Sequence, residues 1–515
     1  MRKLFVMLQI IALTALLLPT AFAAEAPMML AGLEIASSSS SSEALHDWDS
    51  NLFFQMMREK TGIEFSISEY VSREEWTEVK AAMLSGEVAM PDVFFKAELT
   101  PQETLAFYEA GKLIDLRPYL AEYAPHVWAL LQANPTWLEA VSLPDGAIVA
   151  LPSINELTPN NTMWINKTWL DRLKVEPPTT AEELTAVLRL FRDRDVNQNG
   201  KRDDEIPLSF VSMWDLRFLA HAYGINADDY YLTERDGQIS EVLTTEENRA
   251  FLTWLHELYA EGLLDEQGFM AMRLVQSATT STSSNSNETA KYGVFFGATP
   301  QDVVGVNLAS EYIALDPLTY QGQQVYRDFT GDLYRGTFAI SATCTAPEKL
   351  LQWVDYLYTD EGFLAAQVGR EGEDYDWNDD GTWEYMRPAE EVVALQNTNT
   401  IWTTSMPSYA SASVQMRLDD DATNRLATEL LRVRQWEKRA MPLLYLTQAQ
   451  LDRVTALQSG ISGYAEAHMA WFVAGDVALN DETWADFCAQ VKALGMDEMV
   501  SIWQSAYDSA WHLEK

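Results

Sequence analysis

The strongest constraint on the fold is an alternation of short apolar strands with capped amphipathic helices. Phe53, Met56 and Met57 fall at helical spacing and stop at Thr61-Gly62, where glycine suits the left-handed position past a helix end. Ile63 to Val71 then alternates apolar and polar residues, the period-two pattern of a strand. Glu75 to Leu84 is amphipathic again, and Asp92-Val93-Phe94-Phe95 behind Pro91 predicts a short buried strand. Ala147 to Leu151 and Met163-Trp164-Ile165-Asn166 predict two more strands, with a helix over Trp169 to Leu173. Thr180 with Glu183 forms a capping box for a helix whose apolar face is Leu184, Val187, Leu188 and Phe191,. Strands and helices in this order imply α/β layering. The last hundred residues are mainly helical: Thr447 and Gln450 cap a run through Leu451, Val454, Leu457, Ile461 and Tyr464 to Gly475, and Asp481 opens a helix that Gly495 closes.

A chain of 515 residues, 47% hydrophobic and 22% charged, buries more than one core and predicts two or more domains. Its 36 basic residues against 76 acidic ones give −40, which argues against nucleic acid as a partner, because phosphate binding needs a basic footprint. Met1-Arg2-Lys3, the apolar run Leu4 to Leu18 and Ala21-Phe22-Ala23 have the layout of an export signal cleaved after residue 23,. The mature chain is then expected outside the cytoplasm, periplasmic or secreted. No cysteine stands near the cleavage site, so a lipoprotein tether is not expected. Residues 24–44, with serines from Ser37 to Ser42, read as a flexible linker,. Ser277 to Thr289 reads as a polar surface insertion,. Cys344 and Cys488 are the only cysteines; they pair if the fold brings them within ~7 Å, and are otherwise two buried thiols.

Asp195-Val196-Asn197-Gln198-Asn199-Gly200-Lys201-Arg202-Asp203-Asp204-Glu205 is the most specific motif. Oxygen side chains at positions one, three, five and nine, with glycine at six, match the start of an EF-hand calcium loop. Calcium takes six to eight oxygens, so the acids and amides must turn inward while the Lys201 carbonyl fills position seven. Ile206 stands where the bidentate glutamate belongs, leaving Asp204 or Glu205 to supply that ligand. The alternative is an Asx-rich solvated turn. Pro207 resists a following helix,, so the expectation is one structural calcium site. The acidic loop Asp374 to Gly381 has poorer spacing and reads as a turn.

Aromatic faces stack on the C–H faces of sugars, and 17 tryptophans, 21 tyrosines and 20 phenylalanines exceed what cores alone require. Trp164, Trp214, Trp377 and Trp402 lie beside polar or turn segments and are the stacking candidates, with core packing as the alternative for each. Glu156 and Phe296 are further candidates for ligand contact.

Several runs, in order along nearly the whole chain, resemble the bacterial family 1 extracellular solute-binding proteins of ABC importers, in the large branch of alginate-binding and LplA-like proteins. They include Lys60-Thr61-Gly62-Ile63, Gly111 to Leu116, Trp164 to Leu170, Pro178-Thr179-Thr180, the acidic loop through Glu205-Ile206-Pro207, Leu258 to Leu263, Asp355 to Gly362, Glu371-Gly372 and Ala506-Tyr507-Asp508. The resemblance implies a two-lobed α/β fold of the periplasmic-binding-protein type II kind, with a ligand cleft between lobes and extra C-terminal helices. It implies calcium ligands at Asp195, Asn197, Asn199, Lys201, Asp203 and Asp204, favouring Asp204 over Glu205. The lobes are expected at 45–152 plus 336–395 and at 153–335 plus 396–515. The implied work is capture of an oligosaccharide or other small solute by a monomer, with delivery to an ABC permease and no catalysis. A secreted glycoside hydrolase, which needs two carboxylates ~5 to 9.5 Å apart, and a nutrient-sensing glycan binder are the alternatives.

Overall fold

The computed structural model describes residues 26–35, 48–268, 289–329, 331–388, 391–392, 401 and 405–512. The expected signal, the serine run, most of the insertion at 277–289 and Trp402 lie outside these residues. In chain order the strands are β1 (Met28–Leu33), β2 (Phe65–Tyr70), β3 (Val93–Phe95), β4 (Leu151–Asn155), β5 (Thr162–Asn166), β6 (Ile206–Leu208), β7 (Leu232–Arg235) and β8 (Gln238–Glu241). They continue as β9 (Tyr292–Gly297), β10 (Tyr312–Ala314), β11 (Tyr326–Arg327), β12 (Leu333–Ile340), β13 (Tyr375–Trp377), β14 (Trp383–Tyr385), β15 (Tyr409–Ala410) and β16 (Glu437–Lys438).

The first lobe is built on a six-stranded sheet in the order β15-β4-β12-β3-β1-β2. Within it β1 runs parallel to β2 and β3, β12 runs antiparallel to β3 and β4, and β15 runs parallel to β4. Successive strand residues point to opposite faces: Val93 and Phe95 enter a core with Phe53, Leu120 and Trp353, while Phe94 enters one with Trp76 and Phe107. Gly32 lets β1 approach β3, because a Cβ there would lie 1.7 Å from the Phe95 carbonyl oxygen. Capped helices flank the sheet as expected: Asn51 accepts from the Phe54 N–H and Gly62 ends that helix at φ 72°.

The second lobe holds the four-stranded sheet β10-β5-β9-β6. Its core joins Trp164, Trp169, Leu184 and Phe191 to Val454, Phe472, Phe487 and Trp503 of the C-terminal helices. Those helices are Gln448–Ala474, Asp481–Ala493 and Met496–Ser509.

The lobe limits differ from those expected. β1 is an interior strand of the first sheet, so the fold begins before residue 45 and a strand occupies part of the supposed linker. A parallel strand buried on both faces has no period-two signature, and the nearby serines masked it. The first sheet also takes all of β4 and β12, and Ile401, Met406, Ala410 and Val414 pack on first-lobe cores, which moves the end of that lobe past 395. The strand expected at 147–151 starts only at Leu151. Cys344 and Cys488 are both free thiols, one packed on each lobe's core. Among the described residues no helix is long and apolar enough to cross a membrane.

Candidate functional site

β1, β2, β3, β4 and β15 all point the same way, so their carboxyl ends form one edge of the first lobe. Ligands of open parallel sheets bind outside that edge. The crossings between lobes leave from it: 156–161 follows β4 and 328–332 enters β12. The second lobe meets these crossings with the start of β5 and the ends of β6, β9 and β10. A cleft between the two edges is therefore a consequence of the topology.

Side chains at the edges combine exposed rings with carboxylates. On the first lobe Tyr334, 45% exposed, hydrogen-bonds Glu98; burial first and Glu98 second push its hydroxyl up to about 12. Glu98 accepts from both terminal nitrogens of Arg73, one of them at 3.1 Å. That hydrogen bond is the main cause raising the Arg73 pKa. On the second lobe Phe329 is 43% exposed and meets the Trp214 ring edge-on at 4.7 Å. The Trp214 indole N–H donates to Asp229 at 2.9 Å, which also accepts from Arg327. Burial pushes Asp229 up, but Arg327 and the Trp214 hydrogen bond outweigh it and leave its carboxyl below its ordinary value. Lys96, at the end of β3, is fully buried and donates to the carbonyls of Glu34, Ile35 and Ile401 at 2.5, 2.8 and 3.0 Å.

Of the six ligand candidates read from sequence, Trp214 lies at this edge, half-buried against Phe218 and Phe329. Glu156 begins a crossing, where its carboxylate accepts from the Ala412 N–H at 2.8 Å and from the Tyr409 hydroxyl. Trp377 sits on the β13–β14 hairpin with the Arg417 guanidinium 4.4 Å over its ring. Trp164 and Phe296 are 1% and 5% exposed, so they are core residues rather than cleft walls. They occupy β5 and β9, the two inner strands of the second sheet, and the Trp164 N–H donates to the Gly297 carbonyl. Trp402 lies outside the described residues. Phe329 and Tyr334 are cleft-edge rings that the sequence reading did not single out, because it favoured tryptophans and Phe296. Their signal was the polar run Thr330-Gly331-Asp332 in the sequence between them.

The profile of the bacterial extracellular solute-binding proteins matches residues 47–362, more than half of the chain. The chain belongs to this family. It is similar to the fructooligosaccharide ABC transporter substrate-binding protein FusA of Streptococcus pneumoniae, with 24% identity over 499 residues covering 90% of this chain and 87% of FusA. Among solved structures, an HMO binding, ABC-transporter associated solute-binding protein of Bifidobacterium longum infantis superimposes with a TM-score of 0.74 at 22% identity, covering 94% of this chain and 99% of that one. A FusA EF-hand mutant from S. pneumoniae in complex with fructo-nystose superimposes with a TM-score of 0.65 at 21% identity, covering 94% and 99%. These likenesses share the two-lobed fold.

The acidic loop of this solute-binding protein lies in the second lobe, between the helix Ala181–Asp193 and β6. The Asp195 carboxylate accepts from the Asn199 and Gly200 N–H groups at 3.1 and 3.0 Å, and Gly200 makes the turn at φ 89°. Asn197 and Asn199 both donate side-chain N–H groups to the Asp204 carboxylate, at 3.2 and 2.6 Å. Those two amides bring positive hydrogens to the place where an ion would sit, and turning them over presents two oxygens beside Asp204. One carboxylate oxygen of buried Glu205 has no hydrogen-bond partner. Lys201 and Asp203 are exposed. Among the described residues no three His, Cys, Asp or Glu gather closely enough to hold a metal. The side chains that the loop draws together are the Asp195 and Asp204 carboxylates and the Asn197 and Asn199 amides, which are oxygen donors of the kind a hard cation takes,.

Proposed function

We propose that this solute-binding protein captures an oligosaccharide between its lobes and delivers it to the permease of an ABC importer. The observation that carries the reading is the pairing of exposed rings with carboxylate acceptors at both facing edges: Tyr334 with Glu98 on the first lobe, Phe329 and Trp214 with Asp229 on the second. Rings stack on the C–H faces of sugars while carboxylates accept from hydroxyls. Relatives named for fructooligosaccharide and HMO binding support it. Binding is reversible, with hinge closure at the crossings and no bond made or broken.

The loop is proposed to hold one structural calcium ion through Asp195, Asn197, Asn199, the Lys201 carbonyl and Asp204, with Asp203 at position nine. FusA, described with an EF-hand, supports this assignment. Residues 1–23 are proposed to direct export as a monomer, periplasmic or secreted, and the first cysteine is Cys344.

The test is the melting temperature of the purified protein in calcium across neutral and acidic oligosaccharides. A ligand at 100 times its Kd adds about 2.7 kcal/mol to the native state. A rise for one sugar class with the sugar recovered intact supports the reading. Shortened sugar moves the protein to glycoside hydrolysis, and no rise with any sugar removes the carbohydrate assignment.

A further inference from the structure

A further crossing, after β16, differs in kind from 156–161 and 328–332. Its residues 443–446 alternate between the lobes: Leu443 and Tyr445 pack on first-lobe cores, while Leu444 and Leu446 are buried in the core of the second. Such alternation is that of an extended segment, whose successive side chains point to opposite sides. Among the described residues no side chain of 156–161 or 328–332 belongs to a core of either lobe. Those two crossings link the lobes, whereas the ribbon 443–446 is a surface on which both lobes rest. Arg335 of β12 ties it to the first lobe, donating to the carbonyls of Ala140, Leu443 and Leu444 at 3.3 Å each, with its guanidinium 4.7 Å from the Tyr445 ring. On the second-lobe side the Glu234 N–H donates to the Ala440 carbonyl at 2.8 Å.

Beside the ribbon lies a crevice of about 310 Å³ with one wall from each lobe. Tyr108, Glu109 and Asp145 stand on the first-lobe wall, and Gln450, Ala506 and Ser509 of the C-terminal helices on the other. The chain bridges the lobes again at its end. The helix Met496–Ser509 packs in the second core through Met499 and Trp503, but Trp511 packs on the first, with the Arg117 guanidinium 4.5 Å over its ring. Close-packed interiors do not deform continuously, so a turn of one lobe on the ribbon must widen or narrow a gap whose walls belong to different lobes.

We infer that the ribbon 443–446 is the fulcrum on which the lobes turn, that Arg335 is its positioning residue, and that the spacing of the crevice walls sets the angle between the lobes. The inference rests on the closure in the reading above but not on its sugar, so it is tested on the ligand-free protein. The chain's only cysteines, Cys344 and Cys488, are half-buried free thiols, one on each lobe. Spin labels on both report the lobe angle as a distance, read by double electron–electron resonance on the full chain.

Ser509→Trp and Glu109→Trp each place an indole in the crevice, from opposite walls and at exposed positions. An indole is about 3.5 Å thick, so both should move the mean distance in the same direction by about 2 Å or more, with cooperative melting kept. Ser501→Trp, exposed on the same helix but outside the crevice, should leave the distance where it is. Arg335→Met should broaden the distance distribution, a change that lost stability does not produce in a protein still folded, and Arg335→Lys, which keeps the charge, should broaden it less. Unmoved distances in both crevice variants, or an equal shift in Ser501→Trp, overturn the fulcrum and its crevice. An Arg335→Met chain that melts cooperatively with an unbroadened distribution overturns the role of Arg335. Failure of every oligosaccharide in the melting test removes the carbohydrate reading and leaves these distances, and the inference drawn from them, standing.

Discussion

Lys96 is an amine with no solvent contact, and burial pulls its pKa from 10.5 to about 7. In the unfolded chain the lysine keeps its ordinary value, so between about pH 7 and 10.5 the unfolded state binds a proton that the folded state sheds. This group therefore makes stability rise with pH across that window. Urea unfolding at pH 7, 8 and 9.5 should show the rise, and Lys96→Met should flatten it; an unchanged slope would mean that the three carbonyls keep the amine charged and its pKa near normal. Gly336 is constrained by backbone geometry instead. Its φ is 74°, and a Cβ there would lie 2.0 Å from the Leu99 carbonyl oxygen. Gly336→Ala should destabilise by about 2 kcal/mol or more, read as a lower urea midpoint. Neither residue was legible from sequence, because a lysine reads as surface and a glycine reads as a turn until the packing around each is known.

Helix starts were more legible than strands, because a cap is local chemistry. Thr447 and Gln450 form the reciprocal capping box expected of them, and Thr447→Ala should cost about 1 kcal/mol in urea unfolding. Thr180 likewise accepts from the Glu183 N–H, although the Glu183 carboxylate reaches chiefly to Thr179. Gly495 closes the helix Asp481–Ala493 as expected, as the left-handed residue just past its cap Leu494, and the same residue opens Met496–Ser509. β1 was lost because an apolar run pairing on both sides has no alternation to detect. The acidic loop was visible by composition and spacing, but which way its amides point is set by side-chain rotation. If it holds calcium, adding calcium after chelation should raise the melting temperature, and Asp195→Ala should abolish the rise; an equal rise in the variant would exclude this loop as the source.

At the scale of the molecule, the alternation of strands and helices implied α/β layering and the chain length two or more domains, while the two lobes were implied by the family resemblance, with which the family assignment agrees. The site was legible only in part. Trp214 was found because it is a tryptophan beside a polar segment, while Trp164 has similar neighbours in sequence but lies, like Phe296, buried on an inner strand, a distinction made by sheet order and burial. The crossings are held by cations on main-chain oxygens: Arg434 donates to the carbonyls of Glu156 and Thr158, and Arg335 to those of Ala140, Leu443 and Leu444. Under the proposed capture, closure would take place about these straps. Small-angle X-ray scattering of the protein with and without a saturating oligosaccharide identified by calorimetry tests this most directly. The expected result is a smaller radius of gyration in the bound state with the sugar recovered unchanged. A bound sugar that leaves the radius unaltered, or one recovered in fragments, would contradict capture by closure.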